Sequence, residues 1–178
     1  MEKNEFAAFA AALRTYYPRE NILPNNEAMQ LWYRELKDIP FQVAEASLRK
    51  WVSTNKWSPS IAEIRATASN IKYGEIPDWG DGWNQVLKAI KRYGMYNIQG
   101  ALDSLDPLPR QCVERLGFRE ICLSENIGNE SARFRMLYEQ LAQRQKTEQQ
   151  IALPLQKIIN QLQLENKDGF LQLGSGEN

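Results

Sequence analysis

Apolar residues recur three and four positions apart along most of the chain, the spacing that keeps side chains on one face of an α-helix. Phe6, Phe9, Ala10, Leu13 and Tyr17 predict a first helix over residues 4–16, stopped by Pro18. Met29, Trp32, Tyr33 and Leu36 predict a second, opened by Asn25 or Asn26, whose side chains can accept a hydrogen bond from an orphan amide. Asp38, Ile39 and Pro40 make a tight connection, and Pro40 suits a first helical position because it has no amide hydrogen to leave unsatisfied. Val43, Ala44, Ala46, Leu48, Trp51 and Val52 then predict a third helix ending near Asn55. Ser58 before Pro59 is one candidate cap, while Ser60 and Glu63 form a capping box that opens a fourth helix with Ile61, Ile64, Ala68 and Ile71, closing near Tyr73. This half holds no alternating run of β-branched residues from which a sheet could be built.

Residues 74–82 are dense in turn formers and mark a boundary. A second helical set follows: Trp83, Val86, Leu87, Ile90 and Tyr93 up to Gly94; Ile98 to Leu105; Pro107 to Leu116, capped by Asp106 and stopped by Gly117; and Phe118 to Leu123. A last long helix starts at Asn129 and turns Phe134, Leu137, Tyr138 and Leu141 inward. Residues 142–152 read as a polar spacer, and beyond Pro154 lies one short amphipathic stripe, Leu155, Ile158, Ile159 and Leu162. A stripe of about a dozen residues cannot hold a helix in water alone, so it docks or frays. The pattern predicts an all-α protein: an N-terminal helical bundle (1–74), a second helical subdomain (75–141), and a polar spacer with a flexible C-terminal arm (142–178).

Composition narrows the function. With 43% hydrophobic residues in 178, the chain can bury a core, and its longest apolar stretch, Phe6 to Leu13, is far short of the ~20 residues that cross a bilayer. No basic, apolar, small-residue signal pattern opens it, so a cytoplasmic home is expected. Twenty-two basic residues balance 22 acidic ones, which argues against strong direct nucleic-acid binding and favours a protein partner. There is no histidine, which removes catalytic triads, histidine bases and most transition-metal sites. Cys112 and Cys122 lack the paired spacing of a zinc site and read as reduced packing thiols. No phosphate-cradling glycine loop of a P-loop ATPase is present, so ATP hydrolysis by this chain is not expected, and no cofactor is expected.

Three sets of residues remain as candidates. Asp78 with Asp81, and Asp103 with Asp106, would be paired carboxylates, but each sits at an expected helix start without a third ligand and reads as a cap. Arg49, Lys50, Trp51, Lys56 and Trp57, and likewise Lys88, Lys91, Arg92, Tyr93 and Tyr96, interleave cations with rings as single-strand binders do. Helical spacing assigns Trp51 and Tyr93 to the core, which leaves Lys56 and Trp57, and more weakly Lys88, Lys91 and Arg92, as nucleic-acid or partner contacts. The tail stripe of Leu155, Ile158, Ile159 and Leu162 is either a packed helix or a motif that enters a partner's groove. With only Lys157 on its polar side it lacks the basic face of a membrane-surface helix.

The order and spacing of the first 74 residues carry a resemblance. Tyr16, Tyr17 and Pro18; Asn21 to Asn25; Leu31, Trp32, Tyr33 and Leu36; Asp38, Ile39 and Pro40; Val43, Ala44, Ala46 and Leu48; Trp51, Val52, Thr54, Asn55 and Lys56; and Ser58 to Arg65 together resemble the bacteriophage helicase loader and inhibitor family. The resemblance implies a non-enzymatic replication factor of a bacterial host's phage or prophage. Such a protein binds the replicative hexameric helicase, holds it inactive and surrenders it to an origin-bound initiator. It also implies an adaptor role for the folded N-terminal part and a helicase grip in the C-terminal region, here Leu155, Ile158, Ile159 and Leu162. A DNA-binding replication initiator and a regulatory interaction module unrelated to helicases are the rival readings.

Overall fold

The computed structural model describes residues 1–173, with side chains up to Glu165 apart from Leu153. The fold is all-α, 76% helical, with ten helices and no strand among the described residues. The chain divides into two compact units, one formed by residues 1–74 with those from 148 on, the other by residues 75–147.

The first unit begins with four helices, α1 (Lys3–Tyr16), α2 (Asn26–Leu36), α3 (Phe41–Thr54) and α4 (Ile61–Tyr73). Their apolar stripes converge on one core of Phe6, Phe9, Leu13, Tyr17, Leu23, Leu36, Ile39, Ala44, Leu48, Ile64 and Ala68. Met29, Trp32, Tyr33, Trp51 and Val52 are half-buried against it. The Asn25 side chain accepts from the Ala28 amide, and the Ser60–Glu63 capping box is complete, so α2 and α4 start where their caps dictate.

Three details differ from the sequence pattern. Pro40 is the residue flanking α3 rather than its first helical one. Ala46 faces solvent and Ser47 is buried in its place, tolerated because its hydroxyl donates to the Val43 carbonyl at 2.6 Å. Ile71 is exposed while Ser69 is buried, its hydroxyl 3.5 Å from Gln149 Oε1. A fully apolar stripe misses both serines because a hydroxyl that finds a hydrogen-bond partner can enter a core. Between α1 and α2, Leu23 adopts a left-handed φ of 54°, unusual for a branched residue. Its side chain is buried, and the Arg14 guanidinium donates to the carbonyls of Ile22 and Leu23, which holds the turn.

The second unit contains α5 (Trp79–Tyr93), α6 (Ile98–Asp103), α7 (Pro107–Leu116), α8 (Phe118–Leu123) and most of α9 (Ile127–Gln150). Helix α5 starts inside the stretch expected to be a loop, because Asp78 accepts from the Asp81 amide at 3.0 Å and nucleates the first turn. The core gathers Trp83, Val86, Val113, Phe118, Ile121, Phe134 and Tyr138. The Phe134 ring lies tilted between Trp83 and Tyr138, with centroids 5.2 and 5.6 Å away. Leu87, placed inward by the pattern, is partly exposed, and Ala89 is buried instead. Gly117, with φ 87°, both ends α7 and begins α8, a conformation that suits a residue without Cβ.

Residues 142–150, expected as a spacer, are the last turns of α9, which also begins two residues before Asn129. Their glutamines, arginine, lysine and glutamate are good helix formers, so polarity there does not signal a break. After Ile151 and Ala152 the chain enters α10 (Leu153–Leu173), a helix of 21 residues rather than about a dozen.

Candidate functional site

The four carboxylates considered in pairs take separate structural roles. Asp78 is a cap, as its spacing indicates, and Asp81 lies in the first turn of the helix that Asp78 opens. Asp106 flanks α7 without capping it: its carboxylate accepts from Gln85 Nε2 at 2.7 Å, and its amide donates to Gln85 Oε1 at 3.0 Å. Asp103 lies at the end of α6, not at a helix start, and pairs with Arg110 at 3.1 Å. Among the described residues no group of three or more metal-ligating side chains is placed to hold an ion. Cys112 is buried and Cys122 half-buried, and burial pushes both thiols up, Cys112 to about 11, which leaves them poor nucleophiles.

The residues leading into α10 are tied to α4 by Arg65, beside the contact of Ser69 with Gln149. The Arg65 guanidinium donates to both Asp38 oxygens, to the Glu35 carbonyl, and through Nε to the Gln150 carbonyl. Burial pushes the Asp38 carboxyl up, but the hydrogen bonds and charge of Arg65 outweigh it and hold the group below its ordinary value. Gln156 closes the bend, its amide donating to Ala152 O at 2.9 Å and its side chain to Glu148 O. From that anchor α10 carries Leu155, Ile158 and Leu162 exposed at 43, 54 and 54%, with Leu164 exposed too and Ile159 half-buried. Spacings of three, four and seven residues put the four candidate positions on one face.

The second feature of this unit is the loop after α3. Tyr17 Oη donates to Asn55 O at 3.4 Å, and Asn55 Nδ2 to Trp51 O at 3.2 Å. The Trp51 indole N–H donates to Trp57 O at 2.9 Å. The Ser58 amide and hydroxyl both donate to the Glu20 carboxylate. This framework leaves the Trp57 ring 69% exposed, with Lys56 Nζ 5.4 Å from its centroid.

In the second unit Lys88, Lys91 and Arg92 are all exposed on α5, Tyr93 is half-buried against the core, and Tyr96 is exposed in the turn that follows. Lys91 and Arg92 occupy the last turn of α5, where cations are stabilised by the helix's own carbonyls. Sequence reasoning misses the exposed apolar residues Leu123, Ile127 and Met136, which helical spacing does not single out, and the pivotal Arg65.

Residues 1–65 match the family model for the N-terminal domain of a phage helicase loader and inhibitor, and so point to this class of protein. No curated protein and no solved structure matches the chain. No helix among the described residues is long and apolar enough to cross a membrane.

Proposed function

We propose that the protein binds the replicative hexameric helicase of a phage or its host, lowers its ATPase and unwinding rates, and delivers it to an origin-bound initiator. The match of residues 1–65 to the loader and inhibitor domain carries this reading. Helices α1 to α4 then act as the adaptor, and the helicase contact lies on α10. Exposed Leu155, Ile158 and Leu162 on one face suit a groove on a helicase subunit, since apolar side chains at these spacings are the anchors of helix-in-groove recognition. The role asks no chemistry of this chain, only a change in the helicase's own turnover.

Co-elution of the full chain with its cognate helicase on size exclusion tests the contact. The parent is expected to travel with the hexamer. The double variant Ile158→Asp and Leu162→Asp is expected to elute alone, because each substitution brings an unpaired charge into an apolar groove. A double variant that co-elutes like the parent would move the contact off α10.

A further inference from the structure

Trp57, 69% exposed, is the most exposed large hydrophobic residue described in the first unit, and nothing in helicase binding through α10 accounts for it. A tryptophan normally buries about 150–250 Å² of surface, so leaving one outward forgoes hydrophobic stabilisation that a small domain needs. The loop is not loose: side chains of Tyr17, Glu20, Trp51 and Asn55 fix its backbone on both sides of the ring. Rigid backbone with an outward ring is a pre-organised platform, which loses little entropy when it is covered.

Lys56 Nζ lies 5.4 Å from the ring centroid, and the stretch of chain on either side says what would cover the ring. From residue 46 to residue 62 the sequence has no acid and three cations, Arg49, Lys50 and Lys56. All three are exposed, as is Arg19, the neighbour of Glu20. None of the four makes an ion pair among the described residues, whereas Glu20 is already engaged by Ser58. Unlike Lys91 and Arg92, the cations of α3 are not in the helix's last turn, so serving the helix dipole does not explain them. Two of the three are lysines, a residue depleted from protein–protein interfaces, while a ring among unpaired cations is the recurring device for single strands.

We propose that Trp57, with Lys56, Lys50 and Arg49, is a stacking site for single-stranded nucleic acid. A base lies on the indole face, and the cations meet the flanking phosphates. The site is weak and indifferent to sequence, in keeping with a chain of zero net charge. It would let a helicase-binding protein hold on to an opened strand, but its existence does not depend on the helicase reading.

The test is fluorescence anisotropy of a fluorescein-labelled oligothymidylate titrated with the full chain at several salt concentrations. Three phosphate contacts give a slope of log K against log salt of about −2, at about −0.7 per phosphate on a single strand. Trp57→Ala is expected to weaken binding roughly five- to 150-fold, the equivalent of the ~1–3 kcal/mol of one stacked base, with an unchanged thermal midpoint. Trp57→Phe keeps a ring and should retain most of the affinity, while Lys56→Glu should weaken binding and flatten the slope. Should Trp57→Ala lower the midpoint, Trp57→Phe and Lys56→Glu decide. Binding that ignores salt, absent binding at low salt, or undiminished binding by Trp57→Ala or Lys56→Glu overturns the proposal. So does loss of helicase binding by Trp57→Ala in a parent that binds no oligonucleotide, which would make the ring a protein contact.

Discussion

Arg65 grips Asp38 with two parallel N–H···O bonds of 2.8 and 2.9 Å, and the same guanidinium reaches a backbone carbonyl on either side, at Glu35 and at Gln150. One side chain thereby ties α4 to the α2–α3 connection and to the residues leading into α10. A bidentate planar fork does this, and a lysine cannot reproduce it.

Arg65→Ala should destabilise the first unit by about 2–3 kcal/mol, measured by urea unfolding. A fully buried pair would lose ~3–5 kcal/mol, but Asp38 keeps 21% of its side-chain surface in water and is partly rehydrated. Arg65→Lys should recover less than half of the loss.

Acid should act through the same pair. The folded pKa of Asp38 lies below its ordinary 3.8, so its contribution is complete above that value and disappears as pH falls through the lower, folded one. The stability difference between the parent and Asp38→Asn should therefore be constant near neutrality and shrink only below about pH 3.8. A difference that changes between about pH 5 and 6.5 would mean that another group is responsible, since the chain has no histidine.

Gly82→Ala should destabilise the second unit by about 1–2 kcal/mol, although alanine favours a helix by up to ~1 kcal/mol over glycine. An added Cβ would meet Tyr138 Cε2 at 2.8 Å and Pro109 Cγ at 3.3 Å. The ring cannot swing away freely, because Tyr138 Oη donates to Pro77 O at 3.0 Å. Calorimetry of the variant checks the sign.

Two tryptophans should respond oppositely to truncation. Trp83→Ala removes a ring buried against Phe134 and should cost ~3–5 kcal/mol, whereas Trp57→Ala should shift stability by less than about 0.5 kcal/mol. Equal losses in thermal unfolding would show that the Trp57 loop depends on its ring.

What the sequence discloses follows the range of the interactions. Asn25, Asp78 and the Ser60–Glu63 box act within three residues of themselves, so composition and spacing find them. Trp57 stands out of the apolar stripe of α3 and is legible as exposed for that reason. The Arg65 cluster is not, because its partners lie 27, 30 and 85 residues away and none belongs to a periodic pattern. Asp106 reads as a cap for the same reason: the Gln85 that claims its carboxylate is 21 residues distant. Residues 143–148 read as a spacer because hydrophobic periodicity falls silent where a stretch of helix is exposed on every side.

The proposed role requires that the chain change the turnover of a hexameric helicase by binding it. The direct measurement is the steady-state ATPase rate of the cognate purified helicase, titrated with the full chain and with the Ile158→Asp, Leu162→Asp double variant. The parent should lower the rate to a floor at a fixed ratio of chain to hexamer, and the double variant should leave it unchanged. An ATPase rate that the parent does not alter at any ratio, with no complex on size exclusion, would contradict that role.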